Sequence, residues 1–266
     1  MTESERLISF AAVLETLRPI GLEEMDGIRL MNRTDAKYLT DEATLLGILA
    51  DAAAAGYRVL ETGGERISPY DSVYYDTEGL QMYLDHRNSR LVRQKVRTRN
   101  YVRSGTAFLE IKQKNNKGRT RKSRTGIPTV ETDDFRGDAA ACTYLAAHSR
   151  FRADELSPSA GTAFRRITLV NPGLSERLTI DTCLQFRNFR TGNSASLQQA
   201  VILELKQDGR AASRMKSIFL ARRVKPFRIS KYCIAIALTD PQARVGRFKP
   251  KLRAIEKIIG NKLSTP

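Results

Sequence analysis

Between Arg87 and Arg124 the chain carries fourteen cationic side chains against one carboxylate, Glu110, which places +13 of the protein's formal +16 in one short segment. Within Leu91–Tyr101, Arg93, Lys95, Arg97 and Arg99 alternate with Val92, Gln94, Val96 and Thr98. A period of two predicts a strand with one cationic and one uncharged face. Neighbours on such a face stand roughly 7 Å apart and repel by ~2.4 kcal/mol at an effective dielectric of about 20, against ~0.6 kcal/mol in water. An uncompensated face of this kind calls for a bound polyanion. Guanidinium groups hold phosphate oxygens in pairs and lysines act as point charges, so phosphate binding is the chemistry these residues suit. Similar faces recur along the chain: Arg33, Asp35 and Lys37; Glu110, Lys112 and Lys114; Phe164, Arg166 and Thr168; Arg177, Thr179 and Asp181; Glu204 and Lys206.

The elements that must position these residues are legible from periodicity and punctuation. Helices are predicted over 4–18, closed by Pro19, over 41–55 with Thr40 as cap and Gly56 as stop, over 133–150 and over 213–221. Ser230 caps a further helix through Leu238, and strands are predicted over 29–39, 72–76, 91–101, 106–114, 162–170, 177–182 and 200–206. The residues beyond Pro241 read as a basic, loosely packed tail. At least six of these strands have a charged face and an aliphatic one. A sandwich would bury the aliphatic faces between two sheets. A barrel with a charged lumen, its apolar exterior covered by the helices, fits equally well by periodicity, and the sign imbalance favours it.

Composition narrows the function classes. The 266 residues are 41% hydrophobic and 28% charged, enough apolar content for a real core. The pI near 10.0 points to an anionic partner. Aromatic residues make up 7% and tryptophan is absent, which disfavours a nucleic-acid binder built on base stacking. No apolar run of spanning length occurs, and the first ten residues lack the order of a signal peptide, so a cytoplasmic location is the expectation. Cys142, Cys183 and Cys233 show no metal-ligand spacing and read as small core residues. His86 reads as a surface or positioning residue, His148 as structural, and Tyr74, Tyr75 and Tyr101 as packing residues.

Several ordered motifs then carry a family resemblance: Arg33-Thr-Asp-Ala-Lys-Tyr38, Val73-Tyr-Tyr-Asp-Thr77, Lys95-Val-Arg-Thr-Arg-Asn-Tyr101, Phe108-Leu-Glu-Ile-Lys112, Thr162-Ala-Phe-Arg-Arg166, Arg177-Leu-Thr-Ile-Asp181, Leu203-Glu-Leu-Lys206 and Ser230-Lys-Tyr232. With these the chain resembles the VTC domain family, the polyphosphate polymerase branch of the triphosphate tunnel metalloenzymes. The resemblance implies an α+β fold, an antiparallel β-barrel with a charged lumen and covering helices. It implies a tunnel domain over 27–239, flanked by a helical extension (1–26) and a basic tail (240–266).

By the same resemblance, Lys37, Arg97, Arg99, Lys112, Arg166, Arg177 and Lys231 are the catalytic set. With Arg33, Lys114 and Lys206 they bind phosphates. A divalent metal, Mn or Mg, falls to Glu204, with Glu110 and Asp181 as further candidates. Glu204 and Glu110 also read as ion partners of nearby lysines, Asp35 as an orienting group and Asp181 as the start of a turn. Phe164 departs from the family, which often has a tyrosine there. The first strand carries Arg33-x-Asp35-x-Lys37 where the hydrolytic branch has E-x-E-x-K, one carboxylate fewer for a two-metal hydrolase. The activity implied is transfer of the ATP γ-phosphate to a growing inorganic polyphosphate. The alternatives are hydrolysis of tripolyphosphate or a nucleoside triphosphate, and non-catalytic binding of polyphosphate or inositol phosphates. With no membrane span of its own, coupling to transport would need a membrane-protein partner.

Overall fold

The structure is a computed structural model of the 266-residue chain, and residues 3–26, 33–209 and 212–263 are described. In chain order it contains α1 (Glu3–Leu14), β1 (Arg18–Ile20), α2 (Leu22–Asp26), β2 (Arg33–Asp41), α3 (Glu42–Ala54), β3 (Arg58–Leu60), β4 (Ser68–Asp76) and α4 (Gln81–Arg87). There follow β5 (Arg93–Tyr101), β6 (Thr106–Lys114), β7 (Thr120–Ile127), α5 (Ala139–His148), β8 (Ser157–Val170), β9 (Glu176–Asn188), β10 (Ser194–Leu197) and β11 (Ala200–Asp208). The chain ends with α6 (Arg214–Ala221), α7 (Lys231–Thr239) and α8 (Lys249–Ile259).

Eight strands form one antiparallel path in the order β2-β11-β9-β8-β4-β5-β6-β7. The meander from β5 to β7 turns at Gly105 (φ 60°) and Gly118 (φ 77°), where a left-handed backbone favours glycine. Among the described residues no ladder joins the end strands β2 and β7. The open edge of β2 is covered instead by the segment entering α7: Phe227 N–H donates to Lys37 O at 2.7 Å, and Tyr38 bridges Pro226. The path curls far enough for Lys112 on β6 to feel Lys37 and Asp35 on β2 and Glu204 on β11.

The direction of the two faces separates barrel from sandwich. The charged face is interior, with Glu110 and Asp181 each 2% exposed and Arg99 7%. The aliphatic face points outward under helices. Ile167, Leu169, Leu178, Ile180, Leu203 and Leu205 pack with Phe10 and Leu14 of α1, Leu45, Ile48 and Leu49 of α3, and Met215 and Phe219 of α6. Leu109 and Ile111 share a cluster with Ala141 and Leu145 of α5. The molecule is an α+β fold of the tunnel type, with a large antiparallel sheet wrapped around a charged lumen.

One end of that lumen is apolar. Leu39, Ile202, Ala160, Tyr74, Leu184 and Phe186 lie on the inner face and share a cluster with Ile234–Leu238 of α7. The helix plugs this end and brings its N-terminus to the charged half.

Several sequence expectations are corrected. The cap of α3 is Asp41, whose carboxylate accepts from Thr44 N at 2.7 Å, and not Thr40. The helix expected over 133–150 is only α5, started by Asp138, which accepts from Ala140 N and Ala141 N. The strand expected to end at 182 continues to Asn188 through Cys183, which has φ 51° opposite a register shift in β8. This bulge changes which alternate residues face inward, Asp181 before it and Phe186 after it. β7 was not expected, nor was the ordered tail. α8 buries Leu252 and Ile255 in the main cluster, so 249–259 is a covering helix and not a loose extension. Cys142 is half-buried, unlike the buried Cys183 and Cys233. Residues 29–32 of the first expected strand, and the expected boundary at 27, lie outside the described residues. No helix among the described residues is long and apolar enough to cross a membrane.

Candidate functional site

The charged half of the lumen is built from strand register. Arg97 on β5 lies opposite Tyr74 on β4 and Glu110 on β6, and Glu110 lies opposite Arg124 on β7. Arg166 on β8 lies opposite Asp181 on β9, and Lys206 and Glu204 on β11 lie between Arg177 and Thr179 on one side and Asp35 and Lys37 on the other. Because all these strands are antiparallel neighbours, residues far apart in sequence come to one inner surface.

Two ion-pair clusters organise it. Arg97 donates to Glu110 Oε2 from Nε at 2.7 Å and from Nη1 to the Tyr74 hydroxyl at 3.0 Å, while Lys122 of β7 pairs with the same carboxylate. Arg166 holds Asp181 with two parallel bonds of 2.6 and 2.8 Å, and Lys231 at the start of α7 reaches the same group. Burial alone would raise both carboxyls. Arg97, Arg99 and Lys122 around Glu110, and Arg166 and Lys231 around Asp181, override it and hold both well below the carboxylate range. Glu204 is bound by Lys206 at 2.6 Å, and its carboxyl is also held low, burial being outweighed by Lys37 and Lys206.

The other expected residues are distributed around these clusters. Arg99 donates from Nε to Ser72 Oγ at 3.1 Å, and Lys37 donates from Nζ to Ile229 O at 3.2 Å. Arg177 is half-buried at the register position beside Lys206, and Lys112 stays open to solvent. Lys114 sits at the β6–β7 turn, opposite Arg93 and Thr120. For Arg33 only the backbone pairing with Asp208 is described. Phe164 supplies no hydroxyl. It stacks on Tyr70 with centroids 5.5 Å apart, and the Arg166 guanidinium lies over the Tyr70 ring at 4.8 Å.

Three inner-face residues lie outside the site set expected from the resemblance. Lys95 donates to Ser230 Oγ at 2.8 Å, and desolvation brings its ammonium down to about 8. Lys122 is likewise brought down to about 8 by desolvation, and its strand was not anticipated. Tyr74, read as packing, has its hydroxyl on Arg97. The alternation of 91–101 already put Lys95 on the cationic face. Nothing local marks Lys122 or Tyr74, whose roles depend on β6–β7 pairing and on α7. His86 is half-buried, and desolvation with Lys95 and Arg93 nearby brings its imidazole down to about 2. His148 stacks on Tyr144.

No three His, Cys, Asp or Glu side chains among the described residues converge as a metal-binding group. Glu110 and Asp181 are each held by two cations in direct contact, Glu204 by one, so of these three Glu204 is the most open to a metal. Its oxygens suit a hard cation such as Mg or Mn that brings other ligands with it on phosphate oxygens.

The VTC domain family model matches residues 32–239, most of the chain and all of this lumen. The chain belongs to the VTC domain family. None of the curated protein sequences compared matches this VTC domain significantly. Solved structures similar to it include a candidate adenylate cyclase from Vibrio parahaemolyticus, at 11% identity and TM-score 0.44 over 76% of this chain and 97% of that one. Another is a candidate adenylyl cyclase from Hippeastrum described as having a dominant triphosphatase activity, at 13% identity and TM-score 0.43 over 77% and 94%. The PH1819 protein from Pyrococcus horikoshii gives 10% and 0.42 over 77% and 97%. Likenesses this low add nothing to what the family match establishes for this VTC domain.

Proposed function

We propose that this protein is a metal-assisted phosphotransferase that moves the γ-phosphate of ATP onto an inorganic polyphosphate held in the lumen. Arg97, Arg99, Arg166 and Arg177 grip phosphate oxygens, while Lys37, Lys112, Lys206 and Lys231, with Arg33 and Lys114 toward the strand ends, supply the surrounding positive field. Glu204 would hold the divalent metal, which would offset charge on the transferring phosphoryl group. Glu110 and Asp181 orient Arg97 and Arg166 and stay ionised.

One observation carries the choice of acceptor. Every carboxylate in the two clusters is held low by cations, Glu204 likewise, and His86 is a very weak base, so these groups are poor at taking a proton from water. A terminal phosphate, already ionised at neutral pH, needs no such base. This favours phosphate over water as the nucleophile.

The test is incubation of the protein with ATP and Mn²⁺ or Mg²⁺, with products resolved by gel and by phosphate assay. The expected result is a polyphosphate ladder absent from the double variant Arg97→Glu, Arg99→Glu. Free phosphate without a ladder would establish the hydrolase instead. Tight polyphosphate binding with ATP left intact would make the protein a binder.

A further inference from the structure

Tyr74 stands where the charged half of the lumen meets the end filled by α7. Its ring stacks on Tyr232, with centroids 5.1 Å and planes 21° apart. Tyr232 is anchored in turn by its hydroxyl bond to the buried Asp76, which also accepts from Met82 N at 2.8 Å and Tyr83 N at 2.9 Å. The Tyr74 ring is therefore fixed, and its hydroxyl is aimed at Arg97.

The charges around that hydroxyl come from two of the elements packed on it. β5 supplies Lys95, Arg97 and Arg99, and α7 supplies Lys231. Across the pairing with β8 the register partner is the uncharged Ala160. Glu110 on β6 reaches that hydroxyl only through Arg97 and is shared with Lys122, while Asp76, on β4 with Tyr74, is engaged by Tyr232. Tyr232 stays neutral, its phenol pushed up by burial and by Asp76. Burial would raise the Tyr74 phenol too, but the four cations override it and bring it down to about 7.

We propose that Tyr74 is a phosphate-contacting residue whose oxygen changes role with occupancy. In the empty lumen it accepts from Arg97, and when a phosphate chain occupies Arg97 the phenol takes up one proton and donates to a phosphate oxygen. The proposal rests on reading the lumen as a phosphate tunnel. The proton comes from bulk water, and no bond to phosphorus forms or breaks. A phosphate chain puts negative charge among the same four cations, cancels the field that lowers the phenol and returns it toward its ordinary value of about 10. In the occupied lumen Tyr74 is then a neutral donor and cannot serve as a base for water.

Tyr74→Phe keeps the ring stack and removes only the hydroxyl. The tyrosinate ultraviolet band is titrated from about pH 5 to 9 in both proteins, with and without saturating tripolyphosphate. The expected result is one tyrosinate appearing with a midpoint near 7 in the unliganded protein, absent from the variant and abolished by tripolyphosphate. Calorimetry supplies a second readout. The variant should bind tripolyphosphate ~10-fold more weakly at about pH 6, and this gap should close as pH rises above about 7, where the native phenol must first be protonated. A Tyr74 phenol that titrates only near 10, or one that tripolyphosphate leaves ionised, overturns the proposal while leaving the tunnel reading intact. Failure of tripolyphosphate to bind at all overturns both.

Discussion

Replacing Asp181 with asparagine tests whether the lumen's charges are arranged for a ligand. Asp181 is buried, joined to Arg166 by two hydrogen bonds and paired with Lys231. Asn keeps the volume and removes the charge, leaving two cations uncompensated on the inner wall. Removing one partner of a buried pair costs about 3–5 kcal/mol, and the partial exposure of Arg166 and Lys231 puts this case near the lower end, about 3 kcal/mol. For a chain of this size that lowers Tm by about 6–12 °C. A bound polyphosphate replaces the missing charge, so the variant should bind tripolyphosphate ~10-fold more tightly. At a concentration ~100 times the native Kd, ligand stabilisation is then ~2.7 kcal/mol for the native protein and ~4.1 kcal/mol for the variant. The stability gap should fall from about 3 to about 1.6 kcal/mol. The gap should also close in acid. Asp181 has its carboxyl lowered by folding, so its contribution is fully present above the unfolded value of about 4 and is lost as pH falls below it. The assay is urea unfolding of both proteins with and without tripolyphosphate. A gap that tripolyphosphate leaves unchanged or widens would refute the reasoning, because Arg166 and Lys231 would then be structural cations that never meet the ligand.

Three further outcomes are expected. Glu204→Gln should raise the metal concentration needed for half-maximal turnover by ~10-fold while leaving metal-free tripolyphosphate binding equal or tighter, measured by turnover against Mn²⁺ and by calorimetry; an unchanged metal requirement excludes Glu204 as the ligand. The unliganded protein should gain stability, by about 2 kcal/mol per pH unit, as pH rises from about 8 to 10. Lys95 and Lys231 are both brought down to about 8 chiefly by desolvation, so the unfolded chain binds more protons in that window, and denaturation midpoints that fall there contradict it. Leu252→Ala and Ile255→Ala in α8 should each cost about 2–4 kcal/mol in thermal or urea unfolding, and a loss below about 0.5 kcal/mol would restore the loose-tail reading.

The alternation of Arg93, Lys95, Arg97 and Arg99 with smaller residues was legible because strand geometry imposes a period of two, whatever lies beyond the strand. The same holds for Lys37, Lys112, Arg166, Arg177, Glu204 and Lys206, each on the charged face its spacing implied. The strand over 120–127 was hidden because Thr120-Arg-Lys-Ser-Arg-Thr-Gly-Ile127 has little apolar content on either face, and pairing with β6 alone makes it a strand. The bulge at Cys183 was hidden because a left-handed residue inside a strand leaves no mark in side-chain type. The order in α8 was hidden because its basic residues dominate its composition, and only contact with the core shows that Leu252 and Ile255 are buried.

The sequence by itself determined the charge, the two-faced strands and the set of cations, since these depend on residue type and on spacing along one strand. Tertiary structure decided which face is inside, because burial depends on how the sheet curls and where the helices lie. It also decided which carboxylates are spent. Glu110 lies 13 residues from Arg97, and Asp181 lies 50 from Lys231, so neither ion pair exists until strand pairing and the docking of α7 bring the groups together. The lowering of the Tyr74 phenol belongs to the same class, because Coulomb interaction depends on distance in space and four cations from β5 and α7 meet at that hydroxyl only in the folded barrel.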